Sequence, residues 1–155
     1  MVGTSRDSET LSTIRALLLG ALTLGVVGTI GELILLRHIE TPTQWIPIVL
    51  LVVLLPVLAW HARAPRDASV RIVQVMMLCF VATGVLGVGL HYDGNVDFER
   101  ELQPNEHGFT FLRKTVAGAT PVLAPGSMVL LGLVGLAHAH RHPALADSRR
   151  QEISQ

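Results

Sequence analysis

Apolar positions fall into four long blocks, at residues 14–36, 46–61, 70–91 and 122–140, separated by polar interruptions. A helix that crosses a hydrocarbon layer needs about 20 apolar residues. The pattern therefore predicts an all-α integral membrane domain over 1–155: a bundle of four transmembrane helices connected up-down-up-down. Pro42 closes the first interruption, and Pro47 suits the first turn of the second helix. Pro56 predicts a kink inside that helix, tolerable when neighbours cover it. His91-Tyr92-Asp93-Gly94-Asn95 is a turn signal that should end the third span. It opens a polar loop, 92–115, with a short interfacial helix expected near 106–116, where Phe109, Phe111 and Leu112 alternate with charge. Pro121 and Pro125 predict a broken start to the fourth span. Residues 1–12 and 141–155 read as polar, frayed ends. The first block has a poor signal-peptide leader and no small-residue cleavage site after a short apolar core, so it reads as a retained span.

The first block carries Gly25-Val-Val-Gly28-Thr-Ile-Gly31-Glu32. At about 100° per residue, Ala21, Gly25, Gly28 and Glu32 share one side of a helix. Small residues let a second membrane helix approach closely, so this side is expected to pack, with Glu32 pointing at a neighbour. The third block repeats the arrangement as Gly84-x-x-Gly87-x-x-x-His91. Ala21, Gly25, Gly28, Gly84 and Gly87 are thus the expected packing positions. The echo suggests two related helical hairpins, and it places Glu32 and His91 at similar depth, where pairing would offset part of their burial cost.

Composition supports a membrane setting. Half of the residues are apolar and 15% are charged, against roughly a quarter charged in soluble domains. Zero net charge gives no sign of nucleic-acid binding. The single cysteine, Cys79, excludes an internal disulfide. Arginine far outnumbers lysine, as in a GC-rich bacterial genome, and a multi-pass helical protein of such a source is expected in the bacterial cytoplasmic (inner) membrane. Arg6, Arg15, Arg63, Arg66, Arg71, Arg141, Arg149 and Arg150 fall on the side of the termini; Arg37, Arg100, Arg113 and Lys114 fall on the other. Positive charge stays inside, so both termini should be cytoplasmic and the 92–115 loop extracytoplasmic.

Two groups of ionisable residues offer chemistry. Glu32, His38, Glu40, His91 and Asp93 gather at the outer ends of the first and third spans. Imidazole with carboxylate suits a divalent metal or proton handling, although no spacing here matches an established metal motif. At the opposite end stand His61, His138, His140 and His142. His138 and His142 are one helical turn apart and could face a metal or haem, but their place beside apolar runs favours interfacial or headgroup contact. Ser127 lies outside any nucleophile-elbow pattern. These features lead to a non-enzymatic accessory or structural subunit that packs in the lipid bilayer with itself, as a homo-oligomer, or with a membrane-complex partner. The alternative is a metal-ion or proton binding or transport protein using the outward cluster. A haem- or quinone-binding redox protein is third.

Overall fold

The structure, a computed structural model, describes residues 3–118 and 122–146. It is all-helical, with no strand among the described residues. Its elements are α1 (Gly3–Leu35), α2 (Pro42–Arg63), α3 (Asp67–Leu102), α4 (Gly108–Val116) and α5 (Gly126–Ala139). The first three are long and apolar enough to cross a membrane. At about 1.5 Å per residue, the 33 residues of α1 rise roughly 50 Å and the 14 of α5 roughly 21 Å.

The helix boundaries follow local chemistry. α1 starts at Gly3, so the polar leader expected to fray is helical in the described part. It ends where Arg37 turns left-handed (φ 51°). There the His38 N–H reaches back to Leu33 O at 2.9 Å and the Arg37 N–H to Ile34 O at 3.1 Å, the double bond of a Schellman close. α2 starts earlier than expected, with Pro42 in its first turn, where a missing N–H costs nothing. Gln44 Oε1 accepts from the Glu40 and Thr41 N–H groups at 2.7 and 3.0 Å, fixing that entry.

The expected turn at 91–95 does not form. α3 runs through it to Leu102, and the reversal falls instead between α3 and α4, where Gly108 takes φ 75°. The reason lies at Asn95, which is buried and donates from Nδ2 to the Thr115 carbonyl of the Ala117-side end of α4 at 2.9 Å. A glycine inside a helix costs only about 1 kcal/mol, so a buried tertiary bond can override the Gly94-Asn95 signal. The expected interfacial helix corresponds to α4. Pro121 lies outside the described residues. Pro125 caps α5, which begins four residues later than the fourth apolar block.

The core is built from single stripes of each long helix: Leu22 and Val26 of α1, Leu51, Leu54 and Leu58 of α2, Val70, Val73, Met77 and Phe80 of α3, and Met128 and Leu131 of α5. The most extensive contact is between α3 and α5. A Cβ on Gly84 would stand 2.8 Å from Val129 N and 2.9 Å from Pro125 O, and one on Gly132 would stand 2.8 Å from Met77 O. Only hydrogen at these positions lets the two backbones come so near. Gly87 sits beneath the Pro125 ring in the same seam. The expected face of α1 is not the one the fold buries. Ala21 and Gly28 are exposed, and nothing lies within 4 Å of a Cβ on Gly28. The buried stripe is centred on Leu22 and Val26, with Gly25 at its margin against Leu131. Against α5 and α2, the larger side chains of this stripe bury more apolar area than a small-residue face could.

Candidate functional site

Polar side chains collect at the two ends of this bundle. At one end, α2, α5 and the turn after α5 bring together His61, His138 and His142. His61 and His138 are 2% and 3% exposed, whereas His142 is half-buried. Their ring centroids are 5.2 Å apart for His61–His138, 5.2 Å for His61–His142 and 5.8 Å for His138–His142. Among the described residues, this is the one group of three or more His, Cys, Asp or Glu side chains whose ligand atoms all lie within 4.8 Å of one another.

The fold explains how the rings arrive there. Leu51, Leu54, Leu58 and His61 form one continuous inward stripe on α2, and Met128, Leu131, Gly135 and His138 form one on α5. Each histidine is the last member of a core row. His61 Nδ1 lies 3.0 Å from Ser69 Oγ, and His138 Nδ1 lies 3.0 Å from the Arg15 carbonyl oxygen of α1. The two Nε2 atoms are 3.0 Å apart. Burial, reinforced by His61, His138 and Arg15, lowers the pKa of His142 to about 4. The fourth histidine of the run, His140, is exposed and lies off the stripe. Arg15 Nη2 donates to Arg141 O at 3.2 Å, tying the first half of α1 to the turn beyond α5.

The expectation of headgroup contact therefore fails for His61 and His138, since a side chain so nearly sealed cannot reach lipid. The signal that could have revealed them was in the spacing. Both continue a three-four-three row of core positions, a pattern that reading each histidine as a boundary marker hides.

At the opposite end, Glu32, His38 and His91 line a common cavity of about 540 Å³ with Thr29, Gln44 and Ser127. The His38 and His91 rings are 6.3 Å apart. Burial, and then the neighbouring His91, lower the pKa of His38. Asp93 instead lines a separate groove with Tyr92, Asp97 and Arg100. Glu40 is exposed in the turn before α2 and is not part of the cavity wall. The structure thus brings three members of the outward set together and holds two apart from them. Ser127 Oγ donates to Ala124 O at 2.9 Å, so its proton closes the turn into α5. Cys79 is exposed on the outside of α3.

No protein-family model, curated protein or solved structure matches this chain.

Proposed function

We propose that the chain is a four-span integral membrane protein of the non-enzymatic kind, a subunit that works by packing with a second copy of itself. The observation that carries this reading is the open face of α1. Ala21 and Gly28 stand exposed, and Gly28 is the counterpart of Gly87, which on α3 lies against Pro125 at the entry to α5. A smooth, small-residue strip along a membrane helix favours another helix over lipid, because backbones can approach closely there.

The count of four rests on α5 as the last span. The apolar stretch of this segment is longer than the helix itself, and Leu123, Leu130 and Leu133 are exposed on its outer side, as lipid contact requires. Contacts between Arg15 and both Arg141 and His138 join the two chain ends of the bundle, in keeping with four antiparallel crossings. The eight-to-four division of basic residues argues for cytoplasmic termini. A reporter fused after Gln155 should be active only in its cytoplasmic form.

The association is tested by measuring mass in mild detergent and in nanodiscs. Wild-type protein should run as a dimer or larger, and Gly28→Leu should run as a folded monomer. A monomeric wild type in both media overturns the reading. A second reading, cation or proton handling at the outer end, is favoured by one observation: Glu32, His38 and His91 share a cavity.

A further inference from the structure

We propose that His61, His138 and His142 form a binding site for one transition-metal ion of the zinc class, at the end of the bundle where α1 begins and α5 stops. This goes beyond the association reading and is independent of it.

The hydrogen-bond partner of each ring bears on where its proton sits. The partner of His138 Nδ1 is the backbone carbonyl of Arg15. A carbonyl only accepts, so Nδ1 carries the hydrogen and Nε2 of the neutral ring presents a lone pair. For His61 the partner is Ser69 Oγ, which has a single proton. When that proton goes to the Arg66 carbonyl, at 2.9 Å, the hydroxyl has none left for His61. Ser69 Oγ therefore accepts, from the Arg66 N–H at 3.0 Å and from His61 Nδ1–H at 3.0 Å. His61 Nε2 is left with a lone pair as well. Two lone pairs then face each other across 3.0 Å in a site sealed from water. Acceptor against acceptor is repulsive, and burial makes it costlier. A cation between them resolves the conflict; without one, the Ser69 proton has to turn to His61 Nδ1 so that His61 Nε2–H can donate to His138 Nε2.

That cation is either a shared proton or a metal ion, and the surroundings favour the metal. A proton needs two nitrogens; here a third imidazole converges, with all three ligand atoms within 4.8 Å. At a zinc–nitrogen distance of about 2.0–2.1 Å, tetrahedral geometry sets the nitrogens roughly 3.3 Å apart, so small side-chain rotations close the site. An Nδ1–H held by a carbonyl or a hydroxyl is also the arrangement that orients metal-binding imidazoles and leaves Nε2 as the ligand. The all-nitrogen donor set selects zinc, copper or nickel over magnesium or calcium. Three protein ligands leave a fourth position open, as in exchangeable rather than closed zinc sites. With neutral ligands and the Arg15 charge beside His142, a hydroxide or chloride suits that position. His142 makes the one adjustment: its Nδ1 accepts from the Ala144 N–H at 3.3 Å, a weak bond that yields when the ring turns to coordinate.

Every long helix contributes. His61 comes from α2 and His138 from α5, while α1 supplies the Arg15 carbonyl and α3 supplies Ser69. Metal binding should therefore tie the helix ends together and register as stability, since a ligand that binds only the folded state stabilises it.

The test uses full-length protein in detergent, stripped with chelator and titrated with Zn²⁺ and, as a spectroscopic probe, Co²⁺. Wild type should take up one equivalent, melt at a higher temperature when loaded, and show the visible bands of tetrahedral Co²⁺. His142→Ala keeps the buried pair and should lose at least 100-fold in affinity while still folding. Ser69→Ala, a change in a positioning residue, should weaken binding 10- to 100-fold, in the range for outer-shell partners. The exposed His140→Ala should bind as wild type. Wild type that takes up no metal after stripping overturns the proposal and leaves the shared proton. Unchanged uptake by a His61→Gln/His142→Ala variant overturns it too, placing the metal elsewhere.

Discussion

α1 and α3 carry the same pattern, two glycines three apart followed four residues later by an ionisable side chain, and the fold treats them in opposite ways. On α3, Gly84 and Gly87 lie against the Pro125–Val129 entry to α5, so close that a single methyl group at Gly84 would meet backbone atoms. On α1, Gly28 has empty space around it, and Gly25 would meet only the mobile end of Leu131. Beyond the pattern the two helices part again. α1 closes just after Glu32, in the left-handed turn at Arg37, whereas α3 continues past His91 for another three turns. Identical spacing thus makes close packing available without selecting it. The neighbour decides, and α5 has room for one glycine face.

The largest expected effect breaks the comparison at its packed side. Gly84→Ala should destabilise by about 1–3 kcal/mol, the usual cost of overpacking, because the contacts it would make are with backbone atoms that cannot turn away. A detergent melt that shows no loss would mean that α5 does not sit in this seam. Next comes the continuation of α3. Asn95→Ala removes a buried donor and leaves the Thr115 carbonyl unsatisfied, at a cost of about 1–3 kcal/mol. It should also increase hydrogen exchange across 92–102, since the turn signal would regain its influence. Unchanged exchange there would leave the length of α3 without its proposed cause. On the open side, Gly28→Ala should stabilise monomeric protein, in excess detergent, by up to about 1 kcal/mol, the gain of alanine over glycine inside a helix. A loss instead would show that α1 packs through this face within the chain.

The long apolar blocks made legible the helical class and three helices long and apolar enough to cross a membrane, because hydrophobic length is a local property. The boundary of α3 was not, since Asn95 bonds to a residue in a different helix, a pairing that no local window contains. The same holds for the packed face of α1: Ala21, Gly28 and Glu32 align well, but the larger side chains of Leu22 and Val26 claim the interior. At the histidine end, the residues were visible and their burial was not. His61 and His138 stand at the ends of apolar runs, where a boundary reading and a core-row reading compete, and only the partners Ser69 and Arg15 decide between them.

The smallest effect concerns the residues that end the two patterns, Glu32 and His91. Their sequence positions suggested a carboxylate–imidazolium pair, two side chains at one depth on helices packed through their small faces. The small face of α1 is turned away from α3, and both side chains border a cavity of about 540 Å³ that also takes in His38, Gln44 and Ser127. Glu32 is exposed there and His91 is half-buried. Where water reaches two charges, their attraction is weak, typically under about 1 kcal/mol, and each group can be solvated without the other. Glu32→Gln and His91→Gln should each change the melting free energy slightly. The double mutant should match the sum of the two within about 0.5 kcal/mol, the limit for independent sites. Coupling above about 1 kcal/mol would mean that the cavity closes around the pair in a membrane, and that the two patterns meet at their ends after all.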